Sequence, residues 1–288
     1  VRAISCKLPE GSIISARYPA SASCRAYTLF RLPELCLGAL SRALGGETPG
    51  SSDTRSTWGI ATTGDQGERI FFRDGIGGGG GGRRGADGSD ALNGNVRGRS
   101  RPVEFMEAFY PLIVEEEGLR TDSGGAGQWR GGLGVRRLVR FLRDGALHVV
   151  DDRLQTQPWG VKGGKAGMGT SYRLNPDAAD EHAITHKIDA RAIRAGEVIE
   201  AQTCGGGGWG HPFDRPAAAV AQDVRLGLVS TDAARDIYGV VLDKDGVADA
   251  AETQRLRDQR PAKIPLFDRG ERFARLEAAG DIAWTVPE

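Results

Sequence analysis

Two glycine-rich stretches carry the residues best placed for chemistry. In "TDSGGAGQWRGGLGVRR", residues 121–137, Ser123 opens a turn, Gly124 and Gly125 bare two successive amides, and Arg130 offers a planar guanidinium. In "GGGGWGHPFDRP", residues 205–216, Gly207 lies within a glycine run and His211 adjoins it. Successive glycine amides can form an anion-binding nest, and an arginine fork matches carboxylate or phosphate. Ser123 also invites a nucleophile reading, but the strand–elbow–helix context of G-x-S-x-G is missing, so an Asx or Ser turn opening the loop is preferred. For Arg130 a surface ion pair stands beside the anion reading.

Nucleotide motifs are approached and missed. "GAGQWRGG" departs by one residue from the dinucleotide fingerprint and is followed by β-like sequence where a helix should stand; "GVKGGKAG" lacks the spacing and the Ser/Thr of a phosphate loop. The histidines offer little metal chemistry. His182 and His186 are four apart, but "HAITHKID" is as strand-like as helical, and no third ligand lies nearby; surface or loop positions are expected. His148 lies beside Asp151 and Asp152, a combination open to a base or metal role, though a structural strand histidine is the preferred reading. No metal ligand is assigned.

Composition narrows the class. The 288 residues balance 38 Lys plus Arg against 38 Asp plus Glu, leaving no basic excess to attract nucleic acid or anionic lipid. Glycine, at 43 residues, is about double its usual share of roughly 7%. It clusters between apolar segments, as in a loop-rich folded protein, with no collagen period. Four cysteines (Cys6, Cys24, Cys36, Cys204) without C-x-x-C spacing argue against a disulfide framework or zinc knuckle and favour a cytoplasmic compartment. No apolar run is long enough for a membrane helix. The start, "VRAISCKLPEGSII", has neither an initiator methionine nor a signal pattern and is expected to be internal to a longer chain.

The elements that must position these residues can be read in outline. "LPELCLGALSRALGG" predicts an amphipathic helix with Pro33 in its first turn, apolar Leu35, Leu37, Leu40 and Leu44 on one face, and Gly45-Gly46 as its stop. Strands and turns follow, "RIFFR" being the most strand-like piece. "GIGGGGGGRRGADGSDALNGN" supports no long regular element. "VEFMEAFYPLIVEEEGL" predicts a short helix ending before Pro111, then a strand. From Gly132 to about Gln202 the pattern is β, with alternation clearest in "RRLVRFL". After Asp214 it turns helical: Pro216 to Gly227 is one helix, and a second is capped by Ser230 and ended by Gly239. "YGVVLDKDG" predicts a strand and turn, "AETQRLRDQR" a charged helix, and the tail partial helix. The fold class is α+β, with a β-rich central region, glycine-rich loops and a helical carboxy-terminal segment.

Taken in order, "PEGSIISARYPA", "PVEFMEAFYPLIVEEEGLRTDSGGAGQWRGGLGVRR", "QPWGVKGGKAG", "GGGGWGHPFDRP" and "DVRLGLVSTDAARDIYGVVL" resemble the carboxy-terminal half of the hydantoinase B/oxoprolinase family, from about Pro9 to Leu242. The resemblance assigns residues 1–245 to that domain and 246–288 to a helical tail. It implies a component of an ATP-dependent hydrolase opening 5-oxoproline- or N-methylhydantoin-type rings. A hydantoinase A-like partner would bind ATP with Mg and activate the cyclic amide by phosphorylating its oxygen. Acetone- and acetophenone-type carboxylase subunits are the alternative, as is a truncated, non-catalytic partner-binding piece. Carboxylase relatives place metal-binding His and Asp residues in an amino-terminal half that this sequence lacks. The catalytic residues stay unknown; Ser123, Gly124, Gly125, Arg130, Gly207 and His211 are the substrate- or anion-binding candidates.

Overall fold

Alternation in "VRRLVRF" (residues 135–141) is obeyed: Val135, Arg137, Val139 and Phe141 are buried while Arg136, Leu138 and Arg140 lie half open, the period of two of a strand with one face against a core. The computed structural model describes residues 7–22, 25–53, 55–92 and 100–282. Cys6, Cys24 and residues 93–95 of the glycine-rich run fall outside them. A first helix, α1 (Arg25–Ala43), leads to a hairpin of β1 (Ser56–Thr63) and β2 (Arg69–Ile76). Helix α2 (Val103–Phe109) ends before Pro111 as predicted and gives way to β3 (Leu112–Leu119), β4 (Val135–Phe141), β5 (Gly145–Val150) and the short β6 (Gly160–Val161). Then come β7 (Ser171–Leu174), β8 (His182–Ile184), β9 (Ile188–Ile193) and β10 (Val198–Gln202). The carboxy-terminal region carries α3 (Ala217–Arg225), α4 (Thr231–Asp236), α5 (Ala250–Arg257), β11 (Phe267–Asp268) and α6 (Gly270–Ala278). The α+β class is as expected.

Two antiparallel sheets, ordered β2-β1-β5-β9 and β3-β4-β10-β7-β8, bury their apolar faces together. Trp58, Ile60 and Phe72 from the first meet Val139, Phe141 and Ile199 from the second in one core cluster, and Trp58 stands edge-on to Phe141 with ring centroids 6.1 Å apart. Arg137 lies on this inward face. Its guanidinium pairs with Asp74 of β2 and, at 2.8 Å, with Glu117 of β3. Losing one member of such a buried pair strands the other charge and costs on the order of 3–5 kcal/mol. A smaller core under α3 and α4 gathers Ala126, Val220, Val229, Ala234, Tyr238 and Val240.

The glycine-rich segments form a third body. Along Gly205–Trp209 the amides donate in turn to the carbonyls of Met168, Gly132, Ser51, Lys165 and Trp129. Every third donor therefore returns to the same neighbour, Met168 then Lys165 on one side and Gly132 then Trp129 on another. That is the symmetry of an extended, three-residue-per-turn helix of the polyproline II kind, which has no internal hydrogen bonds and offers every backbone group sideways. Residues 77–82, irregular by pattern, join the same bundle: Gly79 donates to Cys204, Gly80 to Ser89 and Gly82 to Gly207. Neighbouring backbones are too close for side chains. A Cβ on Gly207 would overlap the carbonyl of Trp159, and one on Gly82 would come within 2.5 Å of the Trp129 oxygen.

Two expectations are corrected. The first helix begins at Arg25, so Pro33 is inside it, and the side chains it buries are Tyr27, Glu34 and Ser41. Leu35, Leu40 and Leu44 are exposed because the face against the body meets polar groups: the Ser52 amide donates to Glu34 at 3.2 Å, and Arg31 pairs with Asp152 at 2.5 Å. Gly45 and Gly46, with φ of 58° and 86°, do end the helix. "YGVVL" is not a strand. Val241 donates to Thr253 Oγ1 and accepts from the Asp249 amide, so its backbone groups serve the start of α5, and one isolated bridge, Leu242 with Ala248, closes the turn.

The glycine bundle predicts an asymmetry between substitutions. Gly207→Ala is expected to cost about 3 kcal/mol or more through backbone overlap. Gly118→Ala on β3, where a Cβ meets nothing within 4 Å, should stay within about 0.5 kcal/mol. Urea unfolding midpoints of the two variants check this; equal midpoints would remove close packing as the reason for the glycines.

Candidate functional site

The bundle takes up most of the hydrogen-bonding capacity of the candidate loops. Gly125 donates to the Gly206 carbonyl and Gly207 to that of Ser51, so these two amides are not offered to an anion. Gly124 is half-buried, and a Cβ there would overlap the Gly131 carbonyl. Ser123 is fully buried; its hydroxyl donates to the Arg120 carbonyl at 2.6 Å and accepts from the Gly134 amide at 2.9 Å. Both partners close the turn that the sequence suggested. Arg130 is buried, its Nη1 on Asp90 at 2.9 Å and its own amide on Asp87 at 2.7 Å.

His211 has a different setting. It lines a cavity of about 720 Å³ together with Arg84, Trp129, Lys162, Trp209 and Arg260. Its Nδ1 accepts from the Phe213 amide at 3.1 Å, capping the 3-10 turn Pro212–Asp214. That bond fixes Nδ1 unprotonated, so the neutral ring carries its proton on Nε2. Burial, reinforced by the charge of Arg260, lowers its pKa and keeps it neutral near pH 7. Lys162 lies 5.1 Å over the Trp209 ring and pairs with Glu47; Arg260 forks onto Asp214 at 2.6 and 3.0 Å. Trp129 and Trp209 are immediate chain neighbours of Arg130 and Gly208, so the bundle sets the cavity's inner wall. What the arrangement offers is a neutral N–H donor beside three cations, Arg84 and Lys162 sharing Glu47 and Arg260 holding Asp214, which also lines the cavity; an anionic oxygen would compete with those carboxylates for the cations.

The sequence did not single out a buried acid cluster on the other side of the bundle. Asp53 precedes β1, Asp151 follows β5, and Cys204 follows β10. The Cys204 thiol donates to Asp53 Oδ1 at 3.0 Å, while Asp151 accepts from the Arg153 amide at 2.8 Å and from Tyr172 Oη at 3.3 Å. Asp53 Oδ2 is buried without a hydrogen-bond partner. Burial raises Asp53 to about 6, and burial plus the Asp53 charge raise Asp151 to about 7; burial also pushes the Cys204 thiol up. The coupled carboxyls can hold a proton near neutrality. The one signal in the sequence was "VVDDR", two acids at a strand end. His148 does not join them; it meets Asp189 of β9 at 2.5 Å. His182 lies on β8 and His186 in the following turn. Among the described residues no group of three His, Cys, Asp or Glu side chains could hold a metal ion.

Two antiparallel sheets, a buried glycine bundle and a cleft at its edge define the α+β architecture. A sequence profile of the hydantoinase B/oxoprolinase family matches residues 1–212, and the chain belongs to that family. It is 38% identical over 161 residues to caprolactamase subunit beta of Pseudomonas jessenii, an alignment covering 54% of this chain and 27% of that protein. With 5-oxoprolinase of Dictyostelium discoideum it shares 29% identity over 206 residues, covering 70% and 15%. The crystal structure of ATP-dependent caprolactamase from Pseudomonas jessenii superposes with a TM-score of 0.73 at 27% identity, over 88% of this chain and 46% of that one. The chain thus spans less than half the length of each of these relatives.

The acid cluster predicts a pH dependence. Both folded-state pKa values are raised, so the folded protein holds protons between pH 4 and 7 that the unfolded chain has released. This contribution to stability is full below about pH 4 and is lost as pH rises through 6 and 7. Asp151→Asn, which keeps an acceptor for the Arg153 amide, should therefore gain on the parent by about 1–3 kcal/mol between pH 5 and 8. Denaturant midpoints across that range measure it; a difference that does not vary with pH would show that Asp151 does not titrate there.

Proposed function

We propose that this chain is the carboxy-terminal part, residues 1–245 with a helical extension to 288, of the B component of an ATP-dependent enzyme that opens lactam or hydantoin rings. The observation that carries this reading is the superposition of most of the chain on ATP-dependent caprolactamase. The glycine segments do not fit a nucleotide, because the amides of Gly125, Gly206, Gly207 and Gly208 are spent on carbonyls. In this proposal ATP and Mg are therefore bound by a hydantoinase A-like partner. Sparse cysteines and balanced charge support a cytoplasmic setting without nucleic acid or membrane; no helix among the described residues is long and apolar enough to cross a membrane.

An amide carbonyl is a poor electrophile, and phosphorylating its oxygen makes that oxygen a leaving group. We assign the 720 Å³ cleft to the phosphorylated ring. Lys162, Arg84 and Arg260 would meet the phosphoryl oxygens, the His211 Nε2–H would donate to one, and Trp129 would cover the ring. Water then adds to the ring carbon, the ring nitrogen takes up a proton and leaves with the C–N bond's electrons to give a ring-opened acyl phosphate, and a second water adds to that carbonyl carbon and expels phosphate with the C–O bond's electrons, leaving the free carboxylate. Ser123, Gly124, Gly125, Arg130 and Gly207 act in this assignment from behind, as the wall that holds Trp129 and Trp209 in place.

The test supplies the B protein containing this chain with a hydantoinase A-like subunit, ATP, Mg²⁺ and, separately, caprolactam, 5-oxoproline or N-methylhydantoin. ADP and ring-opened product are expected in equal amounts. ADP release only with acetone or acetophenone plus bicarbonate would reassign the chain to carboxylation, and no turnover with any would favour a partner-binding piece. His211→Asn retains a cap acceptor while removing the Nε2 donor; with Lys162→Met it should lower kcat/KM about 10- to 100-fold without shifting Tm. Unchanged kinetics would dissociate the cleft from the reaction.

A further inference from the structure

A separate cavity of about 530 Å³, sharing no lining residue with the cleft around His211, opens between α1 and α6. Its walls are apolar: Leu35 and Ala39 from α1, Trp159 from the loop before β6, Phe267 from β11 and Phe273 from α6. Three guanidinium groups, Arg42, Arg153 and Arg269, line it as well, and among the described lining residues there is no Asp, Glu, His or Cys.

The three arginines are not loosely placed. Arg153 is buried, stacked 5.8 Å from the Trp159 ring and bonded through Nη2 to Ser51 Oγ at 2.7 Å, and its Nε is buried with no hydrogen-bond partner. Arg269 lies 4.8 Å over Phe273. Burial, then the like charge of Arg42, lowers the Arg269 pKa against the opposing pull of Glu277, so the two guanidiniums stand within electrostatic reach of each other over an apolar surface. Like charges beside poorly solvating walls are relieved most effectively by an anion that brings its own apolar body.

We propose that this cavity binds a small carboxylate with an apolar body, its head on the arginines and its tail between α1 and α6. The inference concerns binding alone and stands apart from the ring-opening reading.

Octanoate is the probe, titrated calorimetrically into the chain and into the longer B protein, with octanamide as the uncharged control. Octanoate should bind with one site per chain, and octanamide about tenfold or more weaker. Gly38→Leu projects into the cavity from α1, where a Cβ is 3.4 Å from the Trp159 ring; it should abolish binding while the helix stays folded. Arg269→Gln and Arg42→Gln should each weaken octanoate about tenfold and leave octanamide unchanged, with thermal unfolding of each variant verifying the fold. Equal binding of acid and amide, octanoate binding that survives Gly38→Leu, or binding to the chain but not to the longer protein would each overturn the proposal. The last outcome would mean that another part of the subunit fills the space.

Discussion

The close approach of bare backbones is the constraint on which the rest of this molecule depends. Five consecutive amides, Gly205 to Trp209, reach five carbonyls on chain segments centred near residues 51, 130 and 166. A backbone buried this deeply must satisfy every polar group or lose on the order of 1–3 kcal/mol for each one left over. Sheets solve that problem in two dimensions; here the threefold repeat solves it in all lateral directions at once, at the cost of excluding side chains. The bundle therefore contributes hydrogen bonds and rigidity but little apolar burial, and the hydrophobic work falls to the sandwich and to the small core under α3 and α4.

This division explains where the charges are. A side-chain-free core presents carbonyls and amides at its edges, and the groups that fill the seams beside it are accordingly polar. Asp53 and Cys204 meet where residues 51–53 and 203–206 run together; Arg120 donates to the Gly169 and Thr203 carbonyls at 2.8 and 3.1 Å; Arg215 joins Asp87 to Asp223 at 2.8 Å each. Buried ions such as these are costly to create and costlier to break singly. Their value here is positional: each ties a segment of the bundle to a neighbouring element, and the raised Asp53 and Asp151 pKa values are the electrostatic consequence of packing acids into that seam.

Legibility from sequence follows the same boundary. The sandwich strands, α2, α3 and α4 could be read because period, caps and breakers act locally: Ser230 caps α4 through the Ala233 amide as its type and place suggested. Helix α1 was misread because its buried stripe, Tyr27, Glu34 and Ser41, is set by partners about twenty to more than a hundred residues away, while its leucines face outward. The glycines were seen as a feature, yet nothing local distinguishes an amide offered to an anion from one offered to a distant carbonyl. His211 could be picked out from its place beside the glycine run. Asp53, in "SSDTRS", carries no local mark at all; its burial, which raises its pKa, is set by segments distant in the chain, Cys204 among them.

The carboxy-terminal strap joins these observations. Arg260, Ile264, Pro265 and Leu266 wall the cleft around His211, while Phe267, Arg269 and Phe273 wall the apolar cavity. Between them the strap is held by β11 pairing with β6, with Lys162 donating to the Leu266 carbonyl at 2.8 Å and Gly163 to that of Pro265 at 3.1 Å. Strand β6 is itself fixed to the bundle, Val161 donating to Gly208 at 2.9 Å. The two cavities thus share a wall only a few residues thick, and that wall is pinned by the same glycine segment whose bare backbone organises the fold. Arg272 anchors its far end on the carbonyls of Arg153, Leu154 and Thr170. Arg153 lines one cavity and Lys162 the other, and a backbone group of each is hydrogen-bonded to this strap, so the strap ties the walls of both cavities to the bundle.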